Sequence, residues 1–293
     1  MHLKTVKSIL SPKNGINLCR GCIHGCIYCD SRSRCYNMDH DFEDVEIKIN
    51  APRLLEEKLK SKRHRCMIGT GAMSDPYIPI NESLKVTRAC LELIEKYGFG
   101  LTIQTKSNMI LRDIDLLMSI NQRAKCIVAM TLTTFDEDLC RIIEPNVCTT
   151  KERFETLKVL RGKGIKTIVW LCPLLPFIND TMENLRGILN YCIEAKVYGI
   201  LCFGIGMTLR EGNREYYYKM LDKNFPGLQS RYKKKFGNSY AVTSDNNNEL
   251  MTYLLRICKE NQIVCDNKEI FKYITTLDLK NPLKENRQME LFD

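Results

Sequence analysis

From Pro52 to Phe203 the sequence alternates between helix-like and strand-like stretches, a regularity that few folds accommodate. A charged amphipathic stretch from Pro52 to Arg63 leads into the apolar run from Cys66 to Thr70. A helix from Glu82 to Tyr97, with Asn81 as N-cap and Gly98 as its stop, precedes Leu101 to Thr105. Another near Arg112 to Gln122 precedes the apolar strand Cys126 to Leu132. Thr149 with Glu152 reads as a capping box opening a helix that ends near Gly162 and Gly164. Then come the strand Ile165 to Leu171, prolines at 173 and 176, a helix capped by Asp180 and Glu183 that runs through Glu194, and the strand Tyr198 to Phe203. Strands separated by helices of roughly 10–15 residues indicate βαβ units and a parallel sheet, so the class is α/β. One more strand near Ile16 brings the series to six. An open doubly wound sheet and a partial barrel both satisfy right-handed crossovers, and the pattern does not choose between them. In either, ligands sit at the C-terminal ends of the strands, which directs attention to the loops after Thr70, Thr105, Leu132 and Leu171.

The length of 293 residues suits one large domain with an appendage, or two modest ones. No run of about 18 apolar residues is present, and Met1 to Lys7 lacks the apolar segment of a signal peptide, so a cytoplasmic protein that does not span a membrane is expected. A formal charge of +9 favours polyanionic partners without requiring them. The 15 cysteines are then read as free thiols, metal ligands or catalytic groups, because a reducing compartment disfavours disulfides. Ten are scattered through apolar stretches and read as small buried hydrophobes.

The other five fall between positions 19 and 35. Cys19, Cys22, Cys26 and Cys29 form two C-x-x-C pairs, but the three residues between the pairs leave little room for a zinc ribbon. Cys22, Cys26 and Cys29 form C-x3-C-x2-C, a compact three-thiolate clamp. Soft thiolates select zinc or iron–sulfur, and three ligands on a four-iron cluster leave one iron open. His24, between two of them, reads as a solvated loop residue.

With Tyr28 before the last cysteine, this clamp resembles that of the radical S-adenosylmethionine (SAM) enzymes. Asn17, Gly21, Gly25, Ser74-Asp75-Pro76-Tyr77, Thr105-Lys106, Glu144-Pro145, Pro173, Pro176 and Asn179-Asp180 resemble the spore photoproduct lyase-like branch, over roughly residues 12 to 205 and more weakly to about 275. The resemblance implies a partial (β/α)6 barrel with a mostly helical C-terminal extension. It implies a [4Fe–4S] cluster on Cys22, Cys26 and Cys29, and SAM as second cofactor, cleaved reductively to a 5′-deoxyadenosyl radical. Tyr28, Ser74, Lys106 and Thr131 fall where that branch contacts SAM. Taken singly, Lys106 reads as a surface lysine and Ser74-Asp75-Pro76 as a turn; their places after strands make them site residues. Members that return hydrogen to a product radical do so from a cysteine three residues before the aspartate. Here that place is Ala72, so little normal repair of spore photoproduct is expected, and the resemblance assigns no catalytic residue. Cys172 lies after the fifth strand and reads as core packing.

The expected organisation is a core over residues 1–209, a basic extension over 210–279 and a tail over 280–293. Tyr216 to Tyr218 and Arg231 to Phe236 supply aromatic and basic groups suited to bases and phosphates. Gln288, Leu291 and Phe292 resemble the pentapeptide by which repair and replication proteins dock on a sliding clamp. Radical chemistry on DNA, or on RNA, is the leading expectation, with a flavodoxin or ferredoxin as electron donor. The alternatives are radical chemistry on a peptide or metabolite and a non-catalytic iron–sulfur module.

Overall fold

The computed structural model describes residues 1–277. An edge strand β1 (His2–Lys4) is followed by β2 (Gly15–Ile16), β3 (Cys19–Arg20) and β4 (Glu46–Lys48). The alternating region comprises α1 (Ala51–Ser61), β5 (Met67–Thr70), α2 (Asn81–Lys96), β6 (Gly100–Thr105), α3 (Ile114–Arg123) and β7 (Cys126–Thr131). It continues with α4 (Glu137–Ile143), α5 (Thr150–Gly162), β8 (Lys166–Trp170), α6 (Met182–Glu194) and β9 (Gly199–Leu201). Beyond it lie β10 (Gly206–Thr208), α7 (Asn213–Asn224), α8 (Leu228–Phe236), β11 (Ala241–Thr243), α9 (Asn247–Glu260) and α10 (Asn267–Thr275).

Among the described residues, β2, β5, β6, β7, β8 and β9 form one parallel sheet in that order. The order decides between the two architectures that the sequence pattern leaves open. A doubly wound sheet reverses at a switch point, whereas here each crossover steps to the next strand, as in a barrel. β2 and β9 stand at opposite edges, so the barrel is partial and open on one side.

The two-residue period of a strand then assigns each side chain to a layer. Ile68, Leu101, Ile103, Val128, Met130, Val169 and Ile200 face outward onto Leu91, Leu117, Leu157 and Ile188 of the surrounding helices. Met67, Ile127, Ala129, Ile168 and Leu201 face inward and meet Ile270 of α10. That helix starts at the end of β9, where Asn267 Nδ2 donates to the Cys202 carbonyl (2.7 Å), and runs toward the start of β6, where Thr102 Oγ1 donates to the Ile274 carbonyl (2.8 Å). α10 therefore fills the barrel toward the strand starts and leaves the C-terminal strand ends free for a cavity.

Several local expectations shift by a residue or change partner. Asn81 is the first residue of α2 and Ile80 its N-cap. Thr181 caps α6 by accepting from the Asn184 amide (3.2 Å), while Asp180 receives the Ser244 hydroxyl from 64 positions away. The Thr149–Glu152 capping box forms as the sequence indicates. α4, which periodicity over so short a segment does not reveal, is capped by Asp136. Tyr217 and Tyr218 do not face solvent: with Tyr232, Leu175 and Met207 they build a second core against Ile27 and Tyr28. The tail motif at Gln288, Leu291 and Phe292 lies outside the described residues. No helix among the described residues is long and apolar enough to cross a membrane.

Candidate active site

The three-cysteine loop leaves β3 at Gly21, whose φ of +81° and lack of a side chain are both required, since a Cβ would lie 2.4 Å from the Phe42 carbonyl oxygen. The loop is then held at both ends by residues distant in sequence. The Cys22 amide donates to the Phe42 carbonyl (3.0 Å) and Ser74 Oγ to the Gly21 carbonyl (2.7 Å). The segment after α4 clasps the other end: Ile27 N donates to Ile143 O (3.0 Å), Asn146 N to His24 O (3.1 Å) and Asn146 Nδ2 to Ile23 O (2.9 Å).

Charges are buried beneath this clasp. Glu144 and Arg153 are 1% and 0% exposed and form an ion pair at 2.5 Å. Arg153 also donates to the carbonyls of Thr131 (3.1 Å) and Cys148 (2.6 Å), and the Tyr28 hydroxyl donates to Glu144. Burial would raise the Glu144 carboxyl, but the Arg153 guanidinium and the Lys106 ammonium outweigh it and hold it below the ordinary range. Likewise, burial would depress Lys106, yet the Cys26 sulfur and Glu144 hold its ammonium above the ordinary value. Asp75 fixes the neighbouring turn by accepting from Thr105 Oγ1 (2.7 Å), the Lys106 amide (2.8 Å) and the Tyr77 amide (2.9 Å). His24 is not solvated. It is 3% exposed, its Nδ1 lies 3.6 Å from Asp75, and burial keeps its imidazole below the ordinary value.

All seven residues proposed from sequence for the cluster and SAM, namely Cys22, Cys26, Cys29, Tyr28, Ser74, Lys106 and Thr131, line one cavity of about 100 Å³. Burial pushes the Cys22 thiol up to about 12 and the Cys26 thiol well above its usual range. Such thiols become thiolates only against a strong positive partner, and three soft sulfurs on one short loop match an iron–sulfur centre. Cys19 is different: its Sγ lies 3.2 Å from Ser83 Oγ on the other side of the loop, and it does not line this cavity.

A second cavity of about 970 Å³ shares Tyr28, Cys29, Ser31, Ala72 and Lys106 with the first. Its wall carries Trp170, Cys172, Cys202 and Phe203, then Gly206 to Thr208 and Ala241 to Thr243, with Asn267 of α10. Cys172 thus faces the cavity and does not pack in the core, and burial pushes its thiol up to about 12, so its S–H bond stays intact at neutral pH. Trp170 and Phe203, with ring centroids 5.8 Å apart, pack against each other on the cavity wall, and Phe203 is 59% exposed. The sequence gives no local signal for Arg153 or His24, because each acquires its partner through the fold.

A model of the Radical SAM superfamily matches residues 16–190. An uncharacterized protein of Methanocaldococcus jannaschii is 34% identical over 220 residues, covering 74% of this chain and 78% of its own. One from Mycobacterium tuberculosis is 28% identical over 227 residues, covering 75% of this chain; the chain spans 66% of that relative's length, just under two-thirds. Among solved structures, spore photoproduct lyase complexed with dinucleoside spore photoproduct superposes with a TM-score of 0.62 at 13% identity, over 88% of this chain and 78% of that one. A variant with bound AdoMet and the same dinucleoside gives 0.61 at 15% identity, over 84% and 73%. At these identities the likeness is one of fold.

Proposed function

The chain belongs to the radical SAM superfamily, and from that premise we propose that it is an enzyme acting on a nucleic-acid substrate, DNA before RNA. Proteins of this superfamily use a [4Fe–4S] cluster and SAM, which together supply a 5′-deoxyadenosyl radical for hydrogen abstraction. The proposed ligands are Cys22, Cys26 and Cys29. Their loop is placed by the Ser74 and Asn146 hydrogen bonds, so its position is set before any substrate arrives. Lys106, a half-buried cation just after β6, would pair the carboxylate of SAM, and Tyr28, whose hydroxyl donates to Glu144, would lie beside the adenine. Thr131 and Ser74 complete that wall.

The observation that carries the substrate reading is the 970 Å³ cavity, which shares Tyr28, Cys29 and Lys106 with the cluster-loop cavity and carries Trp170 and Phe203 on its wall. The exposed Phe203 ring, backed by Trp170, offers a face on which a planar base can stack, worth about 1–3 kcal/mol. The net charge of +9 and the exposed Lys233 and Lys234 suit its phosphates. Tyr217 and Tyr218, being core residues, lend no support. The division into 1–209, 210–279 and 280–293 belongs to this reading, as do a flavodoxin or ferredoxin donor, a cytoplasmic setting and a clamp-docking tail.

Affinity for single-stranded DNA should fall steeply with salt, and SAM cleavage by the anaerobically reconstituted protein should rise when the substrate strand is added. Salt-independent weak binding would instead favour a peptide or metabolite. Lys106→Ala should weaken SAM binding by about 1.5–3 kcal/mol, read by titration of the reconstituted protein. Unchanged affinity would remove Lys106 from the SAM site.

A further inference from the structure

Away from the cluster loop, β1, β4 and the connection at 37–44 bring five potential ligands together. His2 is the register partner of Glu46 in the parallel β1–β4 pair. One ligand atom each from His2, His40 and Asp44 lie within 4.8 Å of one another, as do those of Asp39, His40 and Glu46.

The hydrogen bonds fix which ring nitrogens are free. His40 Nδ1 lies 2.9 Å from the Asp41 carbonyl oxygen, which can only accept, so Nδ1 carries the proton and Nε2 presents its lone pair. That Nε2 is buried without a hydrogen-bond partner among the described residues, 4.0 Å from Glu46 Oε2. His2 repeats the arrangement: its Nδ1 is 2.9 Å from Asp44 Oδ2, leaving Nε2 3.9 Å from the same Glu46 oxygen. An outer carbonyl or carboxylate that fixes the tautomer of a ligating histidine is the usual second layer of a metal site. Ligand atoms around one tetrahedral ion at about 2.0–2.2 Å lie about 3.3–3.6 Å apart, so the 3.9 and 4.0 Å separations close onto a metal with a side-chain shift of about half an ångström.

We propose that His40 Nε2 and the Glu46 and Asp39 carboxylates, the group whose ligand atoms lie within 4.8 Å of one another, bind a divalent first-row transition ion, zinc by preference, with His2 Nε2, 3.9 Å from Glu46 Oε2, closing the fourth position. Two imidazoles and carboxylates suit zinc better than calcium or magnesium, which take oxygen ligands. Lys4 Nζ, 2.7 Å from Glu46 Oε2, now supplies the positive charge that a carboxylate only 1% exposed requires. Lys4 is 43% exposed and can swing out, so it acts as the competitor of the ion. Bound metal would tie β1 and β4 to the connection whose Phe42 carbonyl holds the Cys22 amide, bracing the cluster loop from behind.

The test is a titration with zinc chloride of the reconstituted, chelator-washed holoprotein, prepared without a polyhistidine tag and with its own N-terminal residues. Metal content and cluster iron are counted in parallel. Wild type should take one zinc per chain beyond the cluster iron. His40→Ala should lose at least tenfold in affinity, and Asp44→Asn about 10–100-fold, with cluster iron unchanged. Lys4→Met should bind zinc more tightly, an increase that a merely destabilised fold would not produce. Zinc uptake unaffected by His40→Ala, or binding by Lys4→Met no tighter than wild type, overturns the site.

Discussion

Replacing Cys22, Cys26 or Cys29 singly by alanine is expected to abolish assembly of the iron–sulfur cluster and reduce SAM cleavage to background, while Cys19→Ala keeps both. The four cysteines are equivalent in spacing terms, since Cys19 and Cys22 form as good a C-x-x-C pair as Cys26 and Cys29. The fold separates them. Cys19 lies on β3, buried, opposite Ile47 of β4 and against Ser83, whereas the other three line the cavity with Lys106 and Thr131. Losing one thiolate of three leaves a second iron without a protein ligand, and an open iron is labile. Iron and sulfide content with 5′-deoxyadenosine formation, both measured anaerobically, check the result. A full cluster in Cys26→Ala, or none in Cys19→Ala, would contradict it.

The second large effect is expected at Arg153. Arg153→Ala leaves Glu144 fully buried without its partner and withdraws donors from the Thr131 and Cys148 carbonyls. Breaking one side of a buried pair costs about 3–5 kcal/mol, far more than an exposed pair such as Arg141–Asp138 contributes. Urea unfolding of the cluster-free chain should show that loss. Removing both partners, in Arg153→Met with Glu144→Gln, should cost less than the single change, because no uncompensated charge remains buried. A loss below about 1 kcal/mol in Arg153→Ala would mean that water reaches Glu144.

What the sequence determined is what short-range chemistry encodes. The C-x3-C-x2-C spacing places three thiols on one loop whatever surrounds it, and the Thr149–Glu152 box closes over four residues. Strand and helix periods likewise act within a single element, so β5 to β9 and their intervening long helices are legible residue by residue. The tertiary structure decided everything that depends on partners far along the chain. Strand order, and with it barrel over doubly wound sheet, follows from packing and is not written in any one strand. His24 reads as a loop residue until the Asn146 clasp buries it from 122 positions away, and Tyr217 reads as exposed until Tyr232 and Pro176 close over it. Cys172 and Ala72 meet in one cavity only because β5 and β8 end at the same rim. Burial is a property of the assembled core: a polar side chain carries no local mark of whether a distant partner will take it out of water, and that partner sets its charge and its role.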